Sequence, residues 1–250
     1  PFRSLIIMLA LANAIFAARV FYANTLYQKG LGAMEWKAYS EAEVLFDRGE
    51  AITPWNWLFA YQRGLAARGL NQPDQAVQHL QRSLTRNPNR IPAILALSDT
   101  HLRISQSMVG GNGGEGADAH LDAAKQQALQ AVTLCTFLPE PYEILGRIGL
   151  LRHDWPAAQQ NLSRAVQHGA DNRGEVLCLL GDACLQQSLY SEAEASLAQA
   201  VQADPASMMA WPVFLRLAQS TGNYGRLRQR LEEQLTRAAE PGQAAQTQTA

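Results

Sequence analysis

The stretch LCLLGDACLQQSLYSEAEASLAQAVQADP, residues 177–205, contains the pattern that decides the fold. Its Gly181 is followed twelve residues later by Ala193 and then, after four more, by Leu197, and Pro205 closes the pattern. The same order of small, bulky and turn residues returns along the chain. The recurring alanines are Ala42, Ala76, Ala124, Ala158 and Ala193, which are 34, 48, 34 and 35 residues apart. A period near 34 residues indicates stacked helix–turn–helix units.

Each unit is predicted to form two closely packed helices. A glycine in the first helix, such as Gly30 or Gly146, removes the side chain that would keep the second helix away. The second helix carries the alanine at the crossing and a larger residue one turn later on the same face. A proline then ends the unit, because proline has no amide hydrogen and clashes with the preceding turn. One hairpin cannot bury its own apolar face, so neighbouring hairpins must stack.

This pattern resembles the tetratricopeptide repeat (TPR) family. The best copies are Leu26–Gly30–Ala42–Phe46–Pro54, Tyr142–Leu145–Gly146–Ala158–Leu162–Ala165 and Leu177–Leu180–Gly181–Ala193–Leu197–Ala200–Pro205. The resemblance implies an all-α fold, a right-handed α-solenoid of about six TPR hairpins with a concave groove. The units are expected at residues 23–56, 57–90, 91–138, 139–172, 174–207 and 208–240. The last of them is polar and is expected to cap the stack.

An uncharged apolar tract, LIIMLALANAIFAA, occupies residues 5–18 between Arg3 and Arg19. We expect a transmembrane anchor helix at residues 4–23, the TPR solenoid at 24–240 and a disordered tail at 241–250. Within the anchor, small side chains recur at helical spacing and are expected to contact another membrane helix. This small-residue stripe consists of Ala10, Asn13, Ala14, Ala17 and Ala18. A secretory signal peptide and a buried cap helix are the alternatives for this segment.

The side of the membrane on which the solenoid lies is weakly encoded. Arg19, Lys29 and Lys37 follow the apolar tract, and counting these charges would keep the solenoid in the cytoplasm. A short N-terminus nevertheless commonly stays inside, as in signal anchors, and bacterial single-span TPR proteins of this layout are often periplasmic. We expect a single-pass protein of the bacterial inner membrane with a periplasmic solenoid, and the cytoplasmic orientation remains the alternative.

Two further segments stand out from the repeats. Residues 105–120, SQSMVGGNGGEGADAH, contain five glycines and are expected to form a flexible loop, used or unused by a partner. Their G-x-G-x-x-G does not predict a dinucleotide site, because no strand precedes it. The aromatic run at residues 54–61 is expected either to pack between hairpins or to face a bilayer interface or a neighbouring subunit.

Composition excludes several functions. The 21 Lys and Arg residues balance 22 Asp and Glu residues, which leaves no positive field for nucleic acid. The five histidines show no pair at metal-ligand spacing, and no phosphate loop or nucleophile motif occurs. His101 and the three cysteines are therefore expected to be packing residues. We expect no catalytic residue, no cofactor, no metal and no small-molecule substrate.

The resemblance to TPR proteins implies a groove lined by the first helix of each unit. The side chains that it places there form a mixed polar lining suited to an extended peptide or a helix. They are Tyr27, Tyr61, Arg68, Asp99, Arg103, Glu143, Arg147, Asp182, Gln186 and Arg216. The Lys and Asn residues with which TPR co-chaperones clamp a carboxylate are absent from the matching positions, which argues against chaperone-tail binding.

These features together predict a membrane-anchored TPR scaffold. Its partners would be other protein subunits of a membrane complex that it helps to assemble or stabilise. Two alternatives remain at this stage. The order of an apolar helix followed by a TPR array with a Pro-Trp-Asn-Trp junction is also similar to the C-terminal part of O-antigen-type ligases and polymerases. A periplasmic adaptor released by signal cleavage is the second.

Overall fold

The computed structural model describes residues 2–108, 114–204, 208–226, 228–229 and 232. Those residues form helices and short turns and include no strand. Eleven helices have both ends within the described residues: α1 (Phe2–Glu35), α2 (Tyr39–Ile52), α3 (Trp57–Gly69), α4 (Pro73–Arg86), α5 (Ile91–Met108), α6 (Gly114–Leu134), α7 (Pro139–Leu151), α8 (Trp155–Gln167), α9 (Arg173–Gln186), α10 (Tyr190–Ala203) and α11 (Ala210–Thr221).

The chain divides into two compact units, residues 1–136 and 137–250. In the first unit, α1 pairs with α2, α3 with α4 and α5 with α6. In the second unit, α7 pairs with α8 and α9 with α10, and α11 packs on both α9 and α10. The prediction of an all-α solenoid built from TPR hairpins is confirmed. The expected tail at residues 241–250, together with Pro205 and Leu227, lies outside the described residues.

Close helix approach inside each hairpin depends on the recurring glycines. A methyl group at Gly30 would lie 2.4 Å from the Phe46 ring, and one at Gly146 would lie 2.5 Å from the Leu162 side chain. The nearest atoms thus belong to the bulky residue rather than to the alanine one turn earlier. Gly149 is different, since a methyl group there would lie 2.9 Å from the backbone nitrogen of Ala158. The sequence pattern predicted which helices meet at these glycines, but it assigned the crossing to the alanine and not to the large side chain one turn later.

The turns inside four hairpins share one backbone conformation. Lys37, Asn71, His153 and Ser188 all have φ between 56° and 61°, in the left-handed region. In each case the amide three residues after the helix bonds back to a carbonyl in its last turn, as in Gln72 N to Ala67 O at 2.9 Å. This pattern satisfies carbonyl groups that the helix end leaves unpaired. It sets the sharp reversal from the first helix to the second.

The third hairpin departs from this scheme and corrects a prediction. α5 continues to Met108 and α6 begins at Gly114, so most of the glycine-rich segment 105–120 is helical. Ser105 is fully buried, Ala117 is 5% exposed, and a methyl group at Gly116 would lie 3.6 Å from the Met108 sulfur, which shows that the two extensions pack on each other. The flexible loop expected over 105–120 is therefore wrong for residues 105–108 and 114–120. Local glycine content was outweighed by this packing.

Successive hairpins of the first unit are also joined by a buried ionic cluster. The Glu50 carboxylate in α2 lies 3.0 Å from Arg63 of α3 and 2.8 Å from Arg86 of α4. Its side chain is only 8% exposed. Burial acts to raise the pKa of Glu50, but the two guanidinium groups outweigh it and hold the pKa below its ordinary value of 4.5. The pairing keeps the carboxylate charged, as a buried carboxylate beside two cations should be.

Candidate functional site

The residues predicted to line the groove lie on the first helices of their hairpins, and the structure joins most of them in ion pairs. In the first unit, Asp99 of α5 pairs with Arg68 of α3 and accepts a hydrogen bond from Arg103 Nε at 2.9 Å. Asp99 therefore links α3 to α5, the first helices of neighbouring repeats. The sequence predicted the residues but not this linkage.

The second unit repeats the arrangement with other residues. Arg147 of α7 lies 2.8 Å from Glu143 one turn earlier and also pairs with Glu175 of α9. Arg216 of α11 lies 2.9 Å from Asp182 of α9. Glu175 was absent from the predicted groove set, although the repeat pattern places it on the first helix of its hairpin. Its position in the repeat was the available signal.

These ion pairs change what the groove can offer a partner. Arg68, Arg147 and Arg216 each already have a carboxylate partner in a neighbouring repeat, and the paired side chains are between 23% and 45% exposed. A peptide that bound at the predicted groove would have to compete with these internal pairs or add to them, since few of the charges are uncompensated. Half-exposed pairs of this kind contribute little to stability, so they can exchange partners at small cost.

The remaining predicted groove residues have other roles. The Tyr27 hydroxyl accepts a hydrogen bond from Gln62 at 3.2 Å, and its ring meets Phe59 edge-on at 5.7 Å. Tyr61 is half-buried beside Trp57, and burial raises the pKa of its hydroxyl despite the opposing charge of Arg68. Both rings thus serve packing between repeats. Gln186 is exposed on α9.

The N-terminal part of α1 is the most unusual surface of the molecule. Every residue from Ile6 to Tyr22 is exposed, although most are apolar and Arg19 is the one charged residue among them. Phe16 is 54% exposed and Phe21 is 74% exposed. Among the described residues, α1 alone is long and apolar enough to cross a membrane. A continuous apolar surface of this length marks an interaction with another apolar phase or protein.

The small-residue stripe lies on a particular side of this helix. α1 packs on α2 through Ala23, Leu26 and Gly30, its three buried residues. At about 100° per residue, the centre of the stripe lies roughly 170° around the helix from the centre of those three. The stripe therefore faces away from the hairpins. A second helix could approach it without meeting α2.

The structure also joins two histidines that the sequence left apart. The Nδ1 atoms of His101 in α5 and His120 in α6 lie 2.8 Å apart, so one ring donates and the other accepts. Burial lowers the pKa of His101, and His120 lowers it further. The expectation of a packed His101 is confirmed, whereas its pairing with His120 was not predicted from the sequence. Among the described residues, no three His, Cys, Asp or Glu side chains gather closely enough to hold a metal.

The cysteines agree with the prediction that they fill the core. Cys178 and Cys184 are buried in α9, and Cys135 is half-buried just after α6. Burial raises the pKa of both α9 thiols to about 11. A thiol that stays protonated in this way is a poor nucleophile, which suits a packing role.

Comparison with known proteins identifies the repeats. Residues 59–90 and 174–207 match the family model described as Tetratricopeptide repeat. The chain is similar to the solved structure of pilF from Pseudomonas aeruginosa, with 17% identity, coverage of 89% of this chain and 99% of that chain, and a TM-score of 0.66. The chain is also similar to MamA from Desulfovibrio magneticus, with 14% identity, coverage of 75% of this chain and 97% of that chain, and a TM-score of 0.62. Its identity to a thermophilic TPR protein of Thermus thermophilus is 17%, with coverage of 80% of this chain and 98% of that chain, and a TM-score of 0.59. No curated protein matches the chain.

These similarities establish the fold and its general use. The chain contains TPR repeats, and the similarity to a solved TPR structure covers 80% of its length. Stacked repeats of this kind present extended surfaces that bind other proteins. At 14% to 17% identity, the neighbours do not transfer their own partners to this chain.

Proposed function

We propose that this protein is a membrane-anchored TPR scaffold that helps to assemble or stabilise a membrane protein complex. The N-terminal part of α1 would cross the inner membrane, and the hairpins would bind the soluble regions of partner subunits. The exposure of every residue from Ile6 to Tyr22 carries this proposal. A bilayer would cover that apolar surface, as transfer from water favours by about 25 cal/mol per Å².

The continuity of α1 supports a rigid attachment. The helix runs from Phe2 to Glu35, so the apolar part and the first repeat helix are one element. A partner bound to the hairpins would then be held at a fixed distance from the membrane. The small-residue stripe, which faces away from α2, offers a contact for a partner's membrane helix in the same complex.

The experiment begins with deletion of residues 2–18, which precede the first buried residue of α1, Ala23. The full-length protein should stay in carbonate-washed membranes, whereas the deleted protein should become soluble with the same helical content. Removal of residues 241–250 is the control and should leave the protein in the membrane. A deleted protein that still sediments with washed membranes would contradict the anchor. Protease access in spheroplasts tests the expected periplasmic side.

The same membranes test assembly through the stripe. Ala14→Ile enlarges a side chain on the stripe, and Ala12→Ile makes the same change on the opposite face of α1. We expect Ala14→Ile to reduce the recovery of co-purifying membrane subunits several-fold and Ala12→Ile to leave it unchanged. Equal recovery with both variants would remove the stripe from the assembly surface.

A further inference from the structure

An exposed tryptophan in the α2–α3 turn lies against the apolar part of α1. The Trp55 ring is 58% exposed and stacks on Phe16, with ring centroids 5.8 Å apart and ring planes 19° apart. Phe16 lies seven residues before Ala23, the first buried residue of α1. The turn therefore reaches about 10 Å beyond the packed part of the helix, toward its apolar end.

The turn that carries Trp55 is fixed at both ends. The Thr53 hydroxyl donates to Gly49 O at 3.1 Å, and the Asn56 side chain accepts from Leu58 N at 3.1 Å. Asn56 N also donates to Thr53 O at 3.0 Å. These bonds cap α2 and α3 and hold the intervening residues in one conformation. The rigid turn therefore holds the Trp55 ring in an exposed position. Exposure of such an apolar ring to water costs free energy.

The helix changes character at the level of this ring. Residues 6–16 of α1 are exposed and carry no charge, whereas Asn24, Gln28 and Lys29 are exposed and polar. Between them lie Arg19, Phe21 and Tyr22, all exposed. Aromatic rings and an arginine that extends toward headgroups are typical of the boundary between a membrane and water. At 1.5 Å per residue, the span from Phe16 to Tyr22 is about 9 Å.

We propose that Phe16, Arg19, Phe21, Tyr22 and Trp55 form an interfacial collar that lies in the headgroup region of a lipid bilayer. The α2–α3 turn then rests on the membrane surface, and the first hairpins stand directly on it without a linker. This inference rests on the proposed anchor. It adds how deeply α1 enters the bilayer and which turn of the hairpins touches the membrane surface. It also predicts that Trp36, at the far end of α1, lies about 20–30 Å along the helix from the collar residues, outside the lipid.

Tryptophan fluorescence in vesicles tests the collar. The full chain is reconstituted in phosphatidylcholine vesicles that contain lipids brominated at shallow or at deep acyl positions, and bromine quenches nearby indole rings. We expect shallow bromines to quench the native protein more than deep ones. Trp55→Phe should remove more than half of that quenching. Trp36→Phe is the matched control, because Trp36 is 87% exposed yet predicted to lie outside the lipid.

The outcomes separate the collar from the anchor. If the protein floats with the vesicles but Trp55→Phe leaves the quenching unchanged, the collar is wrong while the anchor stands. If Trp36→Phe removes the quenching instead, the depth of α1 is wrong. Failure to float with vesicles would contradict the anchor itself. Stronger quenching by deep bromines than by shallow ones would place Trp55 inside the membrane core and would also overturn the collar.

Discussion

At the scale of single residues, the fold depends on a few positions that hold no side chain. Gly30, Gly64, Gly146 and Gly181 each lie under the bulky residue of the facing helix, with that residue's side-chain atoms between 2.4 and 2.8 Å from where a methyl group would be. Such distances are shorter than carbon atoms tolerate, so the facing side chain would have to move. What recurs from one repeat to the next is therefore the space that the glycine leaves between the two helices, and not the type of side chain that fills it.

Two glycines of α1 provide a matched test of this point. Gly30→Ala should destabilise the protein by about 1–3 kcal/mol, because the new methyl group meets the Phe46 ring in a packed core. Gly32 has no neighbouring atom within 4 Å of the added methyl group. Gly32→Ala should therefore stabilise the helix by about 0.5–1 kcal/mol. Urea unfolding followed by circular dichroism measures both. Equal effects of the two variants would contradict the proposed role of the crossing.

Sequence reasoning succeeded for these glycines because their spacing repeats in phase. It did not find residues whose partners come from outside that period. Trp55 belongs to a run of aromatic residues that the sequence predicted either to pack between hairpins or to face a bilayer or a neighbouring subunit. The three-dimensional structure places its ring on Phe16. The pairings of Glu175 with Arg147 and of His120 with His101 were missed because they join different helices at spacings that no motif specifies.

At the scale of elements, the third hairpin shows how packing overrides local composition. Five glycines in residues 105–120 predicted a loop, yet α5 and α6 extend into the segment from both sides. Ser105 and Ala117 are buried in this extension, and His101 meets His120 near its base. Glycine lowers helix propensity by about 1 kcal/mol per residue, which buried apolar contacts can offset. Single-sequence reasoning cannot see those contacts.

Shortening this hairpin tests whether the extension contributes to stability. Deletion of residues 105–118 restores the length of the α3–α4 hairpin, and Ala119→Asn supplies a turn residue equivalent to Asn71. We expect the shortened protein to be less stable by about 1–3 kcal/mol, because the packing between the ends of α5 and α6 that buries Ser105 and Ala117 is lost. Thermal unfolding measures the change. An unchanged melting temperature would mean that the segment behaves as a loop, whose length costs little.

At the scale of the whole molecule, the periodic pattern predicted the architecture and the apolar tract predicted the exceptional helix, but neither encodes a partner. The groove charges are paired within each unit, so charge complementarity alone does not select a ligand. What does vary across the molecule is the distribution of buried titratable groups. His79 and His101 lie in the first unit, and Cys178 and Cys184 lie in the second. The acid-sensitive histidines thus lie in the first unit, and the cysteines with raised pKa lie in the second.

The acid limit is set by groups whose pKa is lowered in the folded protein. Burial lowers the pKa of His79, and Arg63 and Arg82 lower it further, against the opposing charges of Glu50 and Asp47. Burial and His120 likewise lower the pKa of His101. The unfolded chain binds these protons more readily, so stability is complete above the ordinary value of 6.5 and falls as the pH drops below it. The stability that the ionised Glu50 contributes is lost as the pH falls below the ordinary glutamate pKa of 4.5.

The alkaline limit belongs to the second unit and provides the sharper test. Since burial raises the pKa of Cys178 and Cys184 from 9.0 to about 11, the folded state keeps protons that the unfolded chain releases. Stability should be complete below pH 9 and fall as the pH rises toward 11. Replacing both α9 cysteines with alanine should flatten this decline in melting temperature, whereas Cys135→Ala is the control and should not. Tyr61, whose pKa burial also raises, should leave a residual slope in the first unit. An unaltered alkaline slope in the double variant would show that the α9 thiols do not set the limit.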